Sequence, residues 1–368
     1  MNPSVTPTRH ELEDCLSSMP LDVAGIVYRY VGNPFVTLWE VPAGTFRLPL
    51  GRFEEGFARR TEEGFARRTE EDSANDFLVN WGDGRSNHFH NDYFPSHTYS
   101  AAGQYRVHIT GTIRGLRCGE SRHHADEPIV QVRSELLEVS QWGCLQLLNG
   151  SRAFGGCYKL TVTARDAPGL KGVKDLSGMF FGCVSLRDED FSSWDTSDVT
   201  SMRDMFYGCK QFDGNVSTWS TSSVKDMCGM FTDCFRFNGD LSHWKTGCVT
   251  DMKEMFKGCR SFEEDLSNWN TGACEDMSSM FKDCCSFNGD LRCWDTSKVV
   301  FAQHMFYGCV SFKGDLSAWD VGNLYQHNEK DFESVIDCMC GGFFSVIPQD
   351  FRPSRRVNRL RSGKRWRI

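Results

Sequence analysis

Apolar residues recur at fixed intervals through the second half of the chain. A tryptophan returns every 25 residues, a phenylalanine every 25 or 26, and a cysteine stands three residues after each of these phenylalanines. A fixed period of this size is the signature of a solenoid, in which each coil buries its apolar edge against the next. The tryptophan column is Trp194, Trp219, Trp244, Trp269, Trp294 and Trp319. The phenylalanine column is Phe154, Phe180, Phe206, Phe231, Phe256, Phe281 and Phe306.

Each repeat predicts two short elements. The stretch F-x-G-D-L-S-x-W is short and contains glycine, and we interpret it as a strand and turn. The stretch T-S-x-V-T-D-M-x-x-M-F has helix-like apolar spacing, for example at Val224, Met227 and Met230, behind a Thr-Ser pair that suits a helix N-terminus. We therefore expect a repeat solenoid of leucine-rich-repeat type, with short parallel strands and short helical turns in each coil.

The pattern before the repeats has a period of two. Residues 77–84 read FLVNWGDG, and residues 97–113 alternate apolar and polar side chains at Tyr105, Val107 and Ile109. Asp83-Gly84 is a tight-turn signal between two strands. These features predict a β-sandwich ahead of the solenoid.

Charge is unevenly distributed along the 368-residue chain. The net charge is −8, but residues 352–367 hold eight Lys or Arg and no acid, which leaves the remainder at −16. No apolar run approaches the ~18–20 residues of a membrane span, and the N-terminus lacks the apolar core of a secretory signal. From this chain alone we expect a cytoplasmic location by default and no nucleic-acid partner, although the basic tail 352–367 suits contact with an anionic surface.

Two motifs carry family resemblances. The repeat M-F-x-G-C-x-S-F-N-G-D-L-S-x-W-D-T-S-x-V-T-D-M resembles that of BspA-type leucine-rich-repeat surface proteins. The pair W-G-D-G and H-T-Y-x-x-x-G-x-Y-x-V-x-I-T-G, over residues 77–113, resembles the PKD-like module, which implies that the sandwich is immunoglobulin-like. The resemblances imply a non-enzymatic adhesion or ligand-binding protein displayed at a cell surface or secreted.

These patterns divide the chain into five segments. The expected order is a lead segment, a PKD-like sandwich with the duplicated EEGFARRT insertion, a connector, the BspA-like solenoid and a basic tail. The lead segment is 1–30, the sandwich is 31–120 with the insertion at 54–69, the connector is 121–135, the solenoid is 136–345 and the tail is 346–368.

The cysteine column admits three interpretations. Neighbouring coils place equivalent side chains roughly 4.8–5 Å apart and pointing the same way, which is poor geometry for disulfides because their Cβ vectors must converge. A row of metal ligands lacks paired C-x-x-C spacing. We favour buried free thiols that act as small hydrophobes.

An acidic column runs beside the tryptophans. Adjacent carboxylates repel each other, so either they cap turns by accepting main-chain N–H groups or they share cations such as Ca²⁺. We expect turn capping and no cofactor, with Asp240, Asp265, Asp290 and Asp315 as weak Ca²⁺ candidates. The column is Asp190, Asn215, Asp240, Asp265, Asp290 and Asp315.

The stretch HFHNDYFPSH at 88–97 gathers a second set of donors. His88, His90, Asp92 and His97 are a weak candidate for a metal site. Because His97 belongs to the H-T-Y motif, we expect it to have a structural role.

The variable positions between fixed columns are the best candidates for partner contact. One set precedes each tryptophan: Ser193, Thr218, His243, Asn268, Cys293 and Ala318. The other follows each column phenylalanine: Phe181, Tyr207, Thr232, Lys257, Lys282 and Tyr307.

Enzyme motifs such as G-x-S-x-G, the P-loop, H-E-x-x-H and G-x-G-x-x-G do not occur. The sequence therefore predicts a non-catalytic protein that binds a protein or surface ligand. Two alternatives stay open: a Ca²⁺-dependent structural surface protein that uses the aspartate column, and an intracellular scaffold.

Overall fold

The computed structural model describes residues 33–50, 76–116 apart from 91 and 93, 118, 135–320 and 322–323. The predicted lead segment 1–30, the duplicated insertion 54–69 and the basic tail 346–368 lie outside these residues, as does nearly all of the connector 121–135.

The first described region is built from strands. Its main sheet has the order β4-β3-β6-β1-β7-β9, with β8 beside β6, while β2 and β5 form a separate antiparallel pair. Neighbours from β4 to β7 are antiparallel, and the β7–β9 and β6–β8 pairs are parallel. The strands are β1 (Phe35–Val41), β2 (Gly44–Arg47), β3 (Asp76–Asn80), β4 (Ser86–His90), β5 (Ser96–Tyr99), β6 (Gly103–Arg114), β7 (Leu136–Gln141), β8 (Leu145–Gln146) and β9 (Thr161–Val162).

An aromatic cluster joins the main sheet to the β2–β5 pair. Phe46 of β2 packs its ring 5.2 Å from Trp39 of β1 and 6.3 Å from Tyr99 of β5. The Tyr99 hydroxyl donates to the main-chain carbonyl of Trp81 at 2.9 Å. His97 stacks on Trp81 at 4.9 Å and pairs with Asp83 at 2.8 Å, so His97 has the expected structural role.

The sheet continues directly into the repeats. Strand β7 pairs with β1 on one side and with β9 on the other, so the range 136–345 assigned to the repeats begins with a strand of the preceding sheet. The Asp166 carboxylate fixes this junction by accepting the main-chain N–H groups of Trp142 and Gly143 at 3.0 and 2.8 Å. Gly143 has φ 46°, and a Cβ there would lie 2.0 Å from the Pro34 carbonyl oxygen, so only glycine fits.

The repeats stack on one another through main-chain hydrogen bonds. From Phe154 to Phe281, each column phenylalanine donates its N–H to the carbonyl of the methionine one coil later, as Phe231 does to Met255 at 2.9 Å. One parallel bridge per coil links equivalent residues along the chain from Asp175 through Ser201, Asp226, Asp251 and Asp276 to Phe301.

The predicted helical piece is instead a run of tight turns, and within the described residues helix is limited to 322–323. The Phe231 N–H is engaged by the next coil, and Met230 donates to Met227, three residues back. A left-handed residue also recurs in each coil; Asp204 and Glu254 have φ 54° and 57°. An α-helix needs bonds four residues back and negative φ at every position.

The strand position was also predicted wrongly. The bridges lie in the T-D-M segment that was expected to be helical, and in F-x-G-D-L-S-x-W only Asp190 and Asn215 form a bridge within the described residues. This segment forms a turn because the main-chain N–H of its tryptophan donates to the carbonyl three residues earlier, as Trp244 does to Leu241.

The core of the stack consists of aromatic columns. Successive column phenylalanines lie 5.5–5.8 Å apart, and successive column tryptophans lie 6.0–6.5 Å apart, with nearly parallel rings. From Trp219 onward each indole N–H also donates to a carbonyl of the preceding coil, as Trp244 does to Val216 at 3.1 Å. From Trp219 onward each tryptophan therefore belongs to two coils at once.

Candidate interaction faces

The pre-tryptophan column is the set Ser193, Thr218, His243, Asn268, Cys293 and Ala318. All six side chains are exposed, and each lies next to a buried tryptophan that holds its backbone. Six different residue types therefore occupy one equivalent exposed position. The structure brings this predicted set together on the surface.

The post-phenylalanine column is the set Phe181, Tyr207, Thr232, Lys257, Lys282 and Tyr307. Its members differ in accessibility: Tyr307 is 55% exposed, whereas Thr232 is fully buried and donates to the Glu254 carbonyl at 2.6 Å. Phe181 and Tyr207 stack at 4.9 Å, and Lys257 pairs with Glu254 at 2.9 Å. Thr232 thus leaves the set of candidate contacts because its side chain serves the stack.

The aspartate column caps turns. In every coil from Asp190 to Asp315 the side-chain oxygen accepts the main-chain N–H two residues later, at 2.8–3.2 Å, and Asn215 does the same. The bond from the Ser242 main chain holds the pKa of Asp240 below its usual value, and Arg292 lowers the pKa of Asp290 to about 2. The prediction of turn capping is confirmed. Asp265 shares this geometry, and no cluster of three or more metal-binding side chains is found in the described part.

A second acidic column was not foreseen. Asp226, Asp251 and Asp276 occupy successive bridge positions, and Arg203 donates from Nε to Asp226 and from Nη2 to Asp251, each at 2.8 Å. Burial raises the pKa of Asp251 even beside Arg203. The 25-residue spacing of these aspartates was visible in the sequence, but the reach of Arg203 across two coils was not.

The cysteine column is buried. From Cys183 to Cys309 each thiol donates its S–H to a main-chain carbonyl of the preceding coil at 2.8–3.2 Å. Burial raises the pKa of Cys309 to about 12 and that of Cys209 further. Such thiols are poor nucleophiles, which agrees with the buried free thiols that we expected.

The histidine-rich stretch does not assemble as one chelate. His88 contacts Asp76 at 2.7 Å and His90 lies 3.8 Å from the same carboxylate oxygen, whereas His97 is paired with Asp83. Asp92 accepts the main-chain N–H of Phe94. The four candidate ligands therefore do not come together as one set.

Sequence reasoning also missed the post-cysteine column, which is Val184, Lys210, Phe235, Arg260, Cys285 and Val310. In it, Lys210 and Arg260 approach the Phe235 ring from neighbouring coils, at 5.8 and 4.6 Å from its centroid. One residue per coil, directly after each column cysteine, was the signal that the aligned repeats contained.

A stack of equivalent coils with buried columns and exposed variable columns defines a repeat protein. The chain belongs to the family described as "Mycoplasma protein of unknown function, DUF285". The family matches residues 148–248, 174–272 and 240–337, which together span more than half of the chain.

Comparison with curated proteins and comparison with solved structures each gave no match. Among the described residues, no helix has the length and apolar character needed to cross a membrane.

Proposed function

We propose that this protein is a non-catalytic interaction protein, in which a leucine-rich-repeat-like solenoid of BspA type follows an immunoglobulin-like, PKD-like sandwich. Its repeats present a regular face to a protein partner or a surface ligand. The same role suits a surface adhesin, which the resemblance implies, and an intracellular scaffold.

The observation that carries this proposal is the division of labour within each coil. The tryptophan, phenylalanine and cysteine columns are buried, and their indole and thiol groups donate to main-chain carbonyls of the preceding coil, as Trp244 and Cys234 do. The pre-tryptophan column is exposed and differs in every coil. A constant scaffold with a variable exposed column is the arrangement that repeat proteins use for binding.

The Ca²⁺-dependent alternative has less support, because each column carboxylate already accepts a main-chain N–H. Bound Ca²⁺ has to compete with these caps for the same oxygens. If millimolar Ca²⁺ raises the unfolding temperature of the wild type but not of an Asp240→Asn/Asp265→Asn variant, the Ca²⁺ alternative replaces turn capping as the role of the column.

The binding role is tested by placing a photo-crosslinking residue at His243 of the full chain in cells. The expected result is a discrete cross-linked partner that excess wild-type protein displaces and that a Thr218→Ala/His243→Ala/Asn268→Ala variant does not. A crosslinker at Lys253, which is exposed in the bridge segment, is the control. Equal cross-linking at both positions, or displacement by the triple variant, would remove the pre-tryptophan column as the binding face.

A further inference from the structure

A band of positive charge crosses four consecutive coils. Its members come from three columns: the post-phenylalanine column, the post-cysteine column and the position two residues after each column cysteine. We call it the basic stripe: Lys210, Arg236, Lys257, Arg260 and Lys282. From the coil of Phe181 to the coil of Tyr307, no acid occupies these three columns. The stripe therefore stands out on a chain that carries −16 outside its tail.

Three of the five cations form no ion pair within the described residues, although Asp233 and Asp283 lie between the post-phenylalanine column and the column cysteine. Lys257 pairs with Glu254 at 2.9 Å, and Arg236 lies 3.8 Å from Asp188. For Lys210, Arg260 and Lys282 the described residues contain no ion-pair partner. Each of the three lies over an aromatic ring, and the Lys282 Nζ is 5.4 Å from the Tyr307 centroid.

The aromatic rings hold these cations in position. Phe235 lies between Lys210 and Arg260, one on either side along the stack. A cation held over a ring keeps its charge and its remaining N–H donors. Cations fixed in this way lose less side-chain entropy when they bind an anion.

Neutral polar groups accompany the charges. The residues after the post-cysteine column are, apart from Arg236, Ser185, Gln211, Ser261, Ser286 and Ser311. Hydroxyl and amide groups in this position both donate and accept hydrogen bonds. The stripe therefore offers cations for acidic groups and neutral polar groups for hydroxyls, repeated once per coil.

We propose that the basic stripe binds a linear anionic polysaccharide that carries carboxylate or sulfate groups and lies along the stack axis. Coil-to-coil spacing is close to the ~4.8 Å between paired strands, and sugar rings in an extended glycan recur at a comparable distance. The proposal rests on the binding role proposed above and assigns a ligand class to a second face of the same repeats.

Two other polyanions fit the stripe less well. A single-stranded nucleic acid stacks its bases on free aromatic faces, but Phe181 and Tyr207 cover each other and Phe235 is flanked by cations. In an extended acidic peptide, side chains on one face recur at about 6.6–6.8 Å, so such a peptide falls out of register within a few coils.

The test uses the full chain with the eight Lys and Arg of residues 352–367 replaced by Gln, so that the tail does not mask the stripe. Heparin oligosaccharides are titrated, and neutral dextran is the uncharged control. The affinity of a Lys210→Ala/Arg260→Ala variant for heparin is expected to be lower by a factor of about ten or more, since each substitution removes a charge-assisted hydrogen bond.

A matched variant separates the stripe from net charge. Lys245 and Lys298 are exposed cations of the same coils outside the stripe, and Lys245→Ala/Lys298→Ala is expected to change affinity about twofold or less. The charge-conserving Lys210→Arg/Arg260→Lys variant is expected to retain binding. Circular dichroism of each variant checks that the stack is intact.

The proposal is overturned if heparin does not bind, if both double Ala variants weaken it equally, or if oligothymidylate or poly-glutamate of equal charge binds as tightly. Cross-linking from His243 is measured on the same variants. If it persists while heparin binding fails, the glycan assignment alone is wrong; if it also fails to show a specific partner, the binding role itself is wrong.

Discussion

The sheet region and the repeat stack solve the same packing problem in different ways. In the sheet region, the contacts among Trp81, His97, Tyr99 and Asp83 occur once. In the stack, one set of contacts is repeated from coil to coil. A change in the sheet region removes a unique contact, whereas a change in the stack removes a contact whose neighbours are copies of it.

The comparison teaches where each region is vulnerable. Because each coil is stabilised by its two neighbours, the cost of a substitution depends on whether a coil has one neighbour or two. In the sheet region the cost depends instead on whether the particular partner is buried. The predictions below separate these two rules.

The largest expected effect is in the middle of the stack. Trp244 lies between Trp219 and Trp269, each 6.5 Å away, and Trp244→Ala is expected to cost about 3–5 kcal/mol in the free energy of unfolding. Among the described rings, Trp319 has a column neighbour on one side only, Trp294 at 6.3 Å. Trp319 is also less completely buried, 7% exposed against 1% for Trp244, so Trp319→Ala should cost less. Urea unfolding followed by circular dichroism measures both, and equal losses would contradict the neighbour rule.

The next effect is in the sheet region. Tyr99→Phe leaves the buried Trp81 carbonyl without its donor and is expected to cost about 1–2 kcal/mol. Tyr105 provides the control because its hydroxyl donates to the Ala101 carbonyl at an exposed position. Tyr105→Phe should stay within about 0.5 kcal/mol of wild type. If thermal unfolding shows the two variants to be indistinguishable, the Tyr99 bond is not a specific anchor of this region.

A smaller effect is expected at the caps. Asp240→Ala removes the acceptor of the Ser242 N–H and should cost about 1 kcal/mol, by analogy with helix caps. Asp240→Asn should leave stability at neutral pH nearly unchanged, since Asn215 already caps its own coil. A large loss in the Asn variant would show that the charge, and not the cap, is required at this position.

The smallest effect is a pH dependence. Main-chain bonds lower the pKa of Asp240 in the folded state, so its stabilisation is complete above the unfolded pKa and is lost as the pH falls through the folded pKa. As the pH is lowered from about 5 to about 2, the urea midpoint of wild type should therefore fall relative to the midpoint of Asp240→Asn. A constant difference over that range would mean that the carboxylate gains nothing from the cap.

The sequence predicted the residues that pack but not the backbone that carries them. The 25-residue period identified Trp244 and Phe231 as core residues because burial of equivalent side chains is encoded directly in their spacing. It did not reveal that Glu254 and Asp204 adopt left-handed φ, although Gly178 and Gly229 at the equivalent positions were a signal for that conformation. Their conformation is set by bonds to the next coil, which are absent from any single repeat.

The candidate faces were predicted in part. Exposure of His243 and Asn268 followed from their place beside a buried tryptophan. The burial of Thr232 and the pairing of Lys210 and Arg260 with Phe235 depend on side-chain contacts between coils. Such contacts depend on how each coil is rotated relative to the next, and the 25-residue period does not contain that information.

The repeated bridge also has a consequence for how this gene changes. Asp226 forms the same parallel bridge with Asp251 that Asp251 forms with Asp276. Removal of residues 226–250 therefore brings together two coil surfaces that are complementary in the same way. Loss or gain of 25 codons therefore keeps every column in register, whereas a change of one codon keeps the register only where a turn absorbs it, as in the 26-residue steps from Phe154 to Phe206. Recombination between neighbouring repeats can in this way lengthen or shorten the molecule in whole coils, and selection can act on reach without first having to rebuild the core.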